Sequence, residues 1–258
     1  MNGHISTYAR NKLMSLTFLN TAWTTPGTSI YFALHDGDPA LTGANELTGG
    51  SYARVQVSAW DAPALRQIQN TNDVGFSTLT ADLGTATYLS VWDASTSGNC
   101  LWVSDAFSLA LPVGSAPTFE AGNITISVGG NISTYLAHKW LNHTFRNTSF
   151  TTPGTSLYTS LHTGSVGLVG SAEISGNNYG RIQVTAWSTP GNGATHNTTS
   201  IQHNTPSGNW GTAQEFGVWD ASSSGNFLGG GALATAVDAT SGRTDLSFGA
   251  NEFSMSAT

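Results

Sequence analysis

A chain of 258 residues can hold one large β domain or two of ordinary size, each able to bury its own core. Only 9% of the residues are charged, against about 25% in an average globular domain, and eight Lys plus Arg against fifteen Asp plus Glu leave a formal net charge of −7. That balance excludes the clustered basic surface a nucleic-acid partner needs, and the lone Cys100 excludes an intrachain disulfide or a cysteine metal cluster. Eight Trp, eleven Phe and a hydrophobic fraction of 39% oppose disorder, so the uncharged polar remainder reads as loops and sheet exteriors. No stretch is long and apolar enough to span a bilayer as a helix. Met1-Asn2-Gly3-His4 lacks the basic-then-apolar order of a secretion signal, so the expectation is a protein with no membrane partner, used without export by that route.

From the N-terminus, Ile5, Tyr8, Leu13, Leu16 and Leu19 recur at helical spacing, which predicts a short helix capped by Ser6 or Thr7. Thr25-Pro26-Gly27-Thr28-Ser29 predicts a turn into a strand over 30–35, and the loop after it, 36–46, is the most acidic part of the chain. Residues 52–60 alternate, with Ala53, Val55, Val57 and Ala59 on one side and Arg54, Gln56 and Ser58 on the other. This predicts a half-buried strand with a dry and a wet face. After a polar, turn-rich stretch over 61–72, apolar runs at 86–92 and 100–103 flank Asp93-Ala94-Ser95-Thr96-Ser97-Gly98-Asn99, which predicts a hairpin whose Asp93 bonds backbone N–H groups. Residues 119–128 close this unit.

The order then starts again. Tyr179-Gly180-Arg181-Ile182-Gln183-Val184-Thr185-Ala186-Trp187 repeats the alternating run 127 positions later, Thr152-Pro153-Gly154-Thr155-Ser156 repeats the turn, and Val218-Trp219-Asp220-Ala221-Ser222 repeats the hairpin. A second helix is predicted over 132–145 with Leu136, Trp140, Leu141 and Phe145, and 248–255 ends the chain after two extra residues. Gly129-Gly130-Asn131 is the one plausible linker. The fold class expected is mainly β: two tandem antiparallel β-sandwich, jelly-roll-like units, 1–129 and 130–258, each preceded by a short α-helix and held as a fairly fixed pair.

No catalytic, cofactor-binding or metal-ligating residue is assigned. His35 and His162 end equivalent strands with no nearby Cys or second His at ligand spacing, so they read as structural. Asp36, Asp38 and Glu46 carry oxygens suited to Ca²⁺, but their counterparts Thr163, Ser165 and Glu173 have lost two acids, and the plainer reading is a solvated loop. Glu46 with Arg54 and Glu173 with Arg181 predict a salt bridge from loop to strand. Trp60 pairs with Trp187 and Trp92 with Trp219 through the repeat, which suits core packing, while Trp102 and Trp210 have no counterpart and are the candidates for an exposed sugar-stacking platform. Neither a nucleophile elbow nor a phosphate loop is present.

The helix, then Thr-Pro-Gly-Thr-Ser-Ile-Tyr-Phe-Ala-Leu, then Glu46-Leu47 with Gly49-Gly50-Ser51-Tyr52-Ala53-Arg54, then Val91-Trp92-Asp93-Ala94 with Ser97-Gly98-Asn99, together resemble small tailed-bacteriophage virion proteins of the tail-fibre-like kind, here in two copies. The resemblance implies a non-enzymatic virion protein. The expected role is binding the outside of the capsid or tail as a cement, decoration or spike- or fibre-base component, with major capsid or tail proteins as partners. Sparse charge suits homo-oligomers, and a trimer would present six similar lobes to a threefold or pseudo-sixfold site. The alternative is a tail-fibre module that binds a host receptor or glycan.

Overall fold

The computed structural model describes residues 1–258. It is mainly β, with several antiparallel sheets and two α-helices. In the first copy β1 (Gly3–Ile5) leads into α1 (Thr7–Phe18), followed by β2 (Tyr31–His35), β3 (Val55–Gln56), β4 (Gln67–Gln69), β5 (Val74–Gly75), β6 (Thr85–Ala86), β7 (Tyr88–Trp92), β8 (Cys100–Ser104), β9 (Leu109–Ala110), β10 (Thr118–Phe119) and β11 (Thr125–Ser127). Five strands form one sheet in the order β1-β8-β7-β2-β3, and β10-β5, β11-β4 and β6-β9 are two-stranded ladders. Helix α1 starts at Ser6, whose hydroxyl accepts from Ala9 N at 3.1 Å and donates to Cys100 O at 2.5 Å. One side chain thus satisfies an orphan helix donor and ties the helix to β8. Cys100 itself is buried in β8, where burial pushes its thiol up to about 12; it packs as a small apolar residue with Ala33, Trp92 and Val103.

The second copy runs α2 (Thr134–Phe145), β12 (Leu157–His162), β13 (Ile182–Val184), β14 (Ala194–His196), β15 (Ile201–Gln202), β16 (Thr212–Trp219), β17 (Phe227–Asp238), β18 (Ser247–Phe248) and β19 (Ser254–Ser256). Its main sheet is β13-β12-β16-β17, with β14-β19 and β15-β18 as ladders. Ser133 caps α2 and bonds Phe227 O at 2.6 Å, as Ser6 does in the first copy. The counterparts of β6 and β9 are absorbed into longer β16 and β17, where Thr212 pairs with Asp238. The counterpart of β1 shrinks to one bridge between Ile132 and Gly229. Gly129 N and Asn131 N are drawn off to Thr258 O and Ser256 O, at 2.8 and 3.1 Å, so the predicted linker is stitched to the end of the chain.

Several expectations need correction. The first copy begins with a strand, β1, and the helix comes second. The run 52–60 is a strand only at Val55–Gln56, on the sheet edge beside β2. Its alternation sorts dry from wet only from Gln56 on, where Val57 is buried between exposed Gln56 and Ser58; before that Ala53 is exposed, Val55 half-buried, and the Arg54 side chain only 6% exposed. Arg54 is drawn in by partners from two loops, described below, and that outweighs its position in the pattern. The stretch over 61–72, expected to be turn-rich, contains β4, and the matching stretch of the second copy contains β14 and β15. Each of these has at most one fully buried side chain, too little for an alternation signal.

The copies meet through contacts that exchange under the 127-residue shift. Phe18 packs against Trp187 and Phe145 against Trp60, tilted ring pairs with centroids 4.9 and 5.3 Å apart. Thr25 Oγ1 bonds Asn147 Oδ1 at 2.6 Å, and Thr152 Oγ1 bonds Asn20 Oδ1 at 2.5 Å. Gly193 N donates to Asn11 Oδ1 at 2.8 Å, and Arg66 N to His138 Nε2 at 3.3 Å. Reciprocal pairing of this kind is the signature of a twofold, isologous interface, formed here within one chain. A continuous core of 51 buried residues runs through both copies, so the halves share apolar burial as well as a linker.

Candidate functional site

The feature built most alike in the two copies is a cradle around one arginine. In the first copy Arg54 Nε and Nη2 grip Glu46 at 2.9 and 2.6 Å, while Nη1 donates to Ala94 O at 2.9 Å and Ser97 O at 2.7 Å. The guanidinium carbon lies 3.7 Å from the Trp92 ring centroid, a cation–π contact. In the second copy Arg181 holds Glu173 at 2.8 and 2.7 Å, bonds Ala221 O at 3.1 Å and Ser224 O at 2.6 Å, and lies 3.6 Å from the Trp219 ring. Tyr52 and Tyr179 donate to the same glutamates and accept from Leu34 N and Leu161 N; burial raises both phenols well above their ordinary range. The predicted salt bridge therefore exists in both copies. It pins the acidic loop, the edge strand and the hairpin turn, whose Asp93 and Asp220 carboxylates take the Asn99 and Asn226 N–H groups, each at 2.6 Å.

Behind each tryptophan runs a buried relay. Trp92 Nε1–H donates to Ser90 Oγ at 2.6 Å, Ser90 Oγ lies 2.7 Å from His35 Nε2, and His35 Nδ1 lies 2.7 Å from Ala44 O. A carbonyl only accepts, so Nδ1 carries the hydrogen and Nε2 accepts from the hydroxyl. Every group is satisfied only if the imidazole is neutral, and burial lowers the His35 pKa accordingly. In the second copy Trp219 Nε1–H donates to Ser160 Oγ at 2.8 Å, 2.7 Å from His162 Nε2, whose Nδ1 lies 2.6 Å from Ser171 O. The hydroxyl comes from the opposite strand: Ala33 pairs with Ser90 in one sheet, Ser160 with Gly217 in the other. A Cβ on Gly217 would stand 2.5 Å from Ser160 Oγ, so the serine has moved strands and the glycine makes room. A Ser–His pair suggests nucleophilic chemistry, but both residues are fully buried in both copies, with the serine hydroxyl held by a tryptophan. Their geometry performs a structural task. The repeat alone did not reveal Ser90 and Ser160, because they are not 127 positions apart; the only sequence signal is the reciprocal exchange Ala33/Ser90 for Ser160/Gly217.

The other candidates fall as follows. Asp38 Oδ1 accepts from Ala40 N at 2.7 Å, Glu46 is spent on Arg54, and Asp36 stays exposed. Trp102 is fully buried and Trp210 is 6% exposed, its Nε1–H donating to Asn177 O at 2.8 Å. Neither forms the exposed platform considered for them. Trp60 and Trp187 line twin clefts of about 270 and 250 Å³ on either side of the pseudo-twofold, closed by Phe145 and Phe18 of the other copy. A concavity of about 560 Å³ lies beside α1 and β8, lined by first-copy residues and by Thr258 at the end of the second copy.

No curated protein matches the chain. The family described as "Podophage GP4 fiber I protein gp80" matches residues 4–127 and, again, residues 131–256. These two matches take in nearly all of both copies, arginine cradles and relays included, so the chain belongs to this family of phage fibre proteins and carries two tandem copies of it.

Proposed function

We propose that the chain is a non-enzymatic structural component at the base of a tailed-phage fibre or spike, built from two sandwich-like units, 1–129 and 130–258, each closed by its small ladders. As a member of a phage fibre family it is a virion-associated structural protein whose partners are other phage structural proteins. The observation that carries the finer reading is how the polar groups are used. Arg54, Glu46, Tyr52, His35 and Ser90, and their counterparts, are all consumed in fixing loops to sheets, which makes a rigid doubled block and leaves none of them free for chemistry. Sparse charge and the paired copies suit assembly into a homo-oligomer, and a trimer would carry six lobes.

Reconstruction of the purified particle, with native mass measurement of the isolated protein, tests the proposal. Density for the chain at a fibre or spike base is the expected result. Density spread over the capsid lattice would replace it with a cement or decoration role, and absence from purified particles would end it. Because Trp102 and Trp210 are buried, a receptor-binding platform made of those two residues has no support.

A further inference from the structure

Two copies of one fold start with the same faces, and where the differences on one face all run in one direction, something outside the fold has acted on it. In the first copy the outer edge of β8 is covered by β1, whose Gly3, His4 and Ile5 pair with Ser104, Val103 and Trp102, and Asp105 N donates to Asn2 O at 2.8 Å. The equivalent strand of the second copy, β17, is the last in its sheet. Its cover is reduced to the bridge between Ile132 and Gly229, because Gly129 N and Asn131 N go to Thr258 O and Ser256 O instead. Ala232, the counterpart of Asp105, therefore stands on an open edge. Beyond it, residues 233–236 have no partner on β16 either, since Glu215 pairs with Ala232 and Ala213 with Val237. This register shift does not hide the edge: Leu233 turns into the core, and Ala234, Thr235 and Ala236 are left exposed.

Open edges recruit strands, and folded proteins guard them with lysine, proline or a covering segment. Residues 231–237 have no such guard, being free of charge and of proline. The face around them has lost charge as well. His4, Arg10, Asp38 and Asp105 line one concavity beside β8, whereas their counterparts are Asn131, Ala137, Ser165 and Ala232. Glu215, half-buried and paired with Ala232, accepts from Val166 N at 2.8 Å, which holds the loop 163–170 beside this edge. In that loop Leu168 and Val169 are 43% and 68% exposed, where the first copy has a half-buried Leu41 followed by Thr42. Such a surface fits a partner that brings a strand and no charge. The same edge of a second chain meets both conditions. Two copies of β17 related by a twofold axis run antiparallel, set small uncharged side chains against each other, and bury no ionised group.

We propose that β17 is the contact through which two chains join, edge to edge and antiparallel, so that the sheet β13-β12-β16-β17 continues across a molecular twofold with Leu168 and Val169 flanking the seam. This deepens the structural reading above, on which it rests, by naming the partner as a second copy of this chain. The isolated full chain is measured by native mass spectrometry and sedimentation over the micromolar range, with amide hydrogen exchange at high and low concentration. The expected result is a dimer whose amides at residues 232–236 are protected and lose that protection on dilution. Thr235→Lys and Thr235→Pro should each raise its dissociation constant about tenfold or more, and Ser108→Lys, at the equivalent exposed position of the first copy, should leave it unchanged. Should the proline disturb β17, Thr235→Lys, at an exposed side chain, still decides the matter. A monomer throughout that range, or an oligomer of any size whose dissociation Thr235→Lys leaves unchanged, would overturn the proposal. The fibre-base reading stands or falls separately, on where the reconstruction places the chain in the particle.

Discussion

The two copies differ most instructively where they reach the same arrangement with different residues. In the relay, a serine hydroxyl stands between indole and imidazole in both, supplied by β7 in one copy and by β12 in the other. The interface shows the same exchange. Arg10 on α1 lies against Gly193, where a Cβ would come within 2.9 Å of Arg10 Cδ, and it donates to Ala257 O. Across the pseudo-twofold the pair is Ala137 and Arg66, so the guanidinium rises from the hairpin tip and donates to Gly130 O at 3.3 Å. Burial lowers the pKa of both arginines, and each has a buried Nε–H with no partner. The price of the second arrangement is local: Leu65 and Arg66 take left-handed φ values of 49 and 65° where the second copy has Asn192-Gly193, residues suited to that turn. A third position was never balanced. Trp140 Nε1–H donates to Thr17 Oγ1 at 2.9 Å, whereas the related pair is Leu13 and Thr144, and Thr144 Oγ1 is buried without a partner. What duplication preserves is the position of an atom, and the residue supplying it is free to move.

This comparison can be broken first with acid, which acts on both copies. Burial lowers the pKa of His35, His143, His162 and His203, the last to about 4. Unfolded imidazoles titrate near about 6.5, so below that pH the unfolded chain binds more protons than the folded one. Stability should be fully present above this range and fall as pH drops through it toward about 4, which denaturant titrations at stepped pH would show; a flat profile would mean that these histidines are not held neutral. Next in size is Arg54→Ala, which strands a mostly buried Glu46 and should cost about 3–5 kcal/mol. Arg181→Ala should cost the same within error, and unequal losses would show that the cradles are not equivalent.

The exchanges themselves predict two double-mutant cycles. Ser90→Gly orphans His35 Nε2 and Trp92 Nε1, at about 1–3 kcal/mol for each buried group, and adding Ala33→Ser should recover most of the loss by installing the arrangement of the second copy. Gly193→Arg alone overpacks against Arg10 and should cost about 1–3 kcal/mol, with Arg10→Ala relieving it. Simple additivity in either cycle, read from denaturation midpoints, would refute the exchange. The smallest effect concerns the unbalanced pair. Thr17→Val removes the acceptor of Trp140 and should lose about 1 kcal/mol, while Thr144→Val removes a buried hydroxyl without a partner and should leave stability equal or slightly raised.

The helices, the hairpins and the loop-to-strand salt bridges were legible because each rests on residues close in sequence or repeated at one interval. Ser6 and Ser133 announce their caps locally, and Glu46 with Arg54 and Glu173 with Arg181 recur together. The short strands were not legible, since Gln67–Gln69 and Ala194–His196 are held by pairing with residues near the end of each copy and not by any pattern of their own. Arg54 was misplaced for a related reason: alternation speaks for the strand, while its partners Ala94 and Ser97 arrive from a turn some forty residues away.

By itself the amino-acid sequence determined that there are two copies of one mainly β unit, low in charge, and which loops are tied to which strands. Tertiary structure alone decided that the copies face each other about a pseudo-twofold, that the serines and arginines are interchangeable between facing elements, and that Trp102 and Trp210 lie inside. The reason is physical: periodicity and capping act over a few residues along the chain, whereas burial and hydrogen-bond satisfaction are settled among atoms that only folding brings within reach of one another.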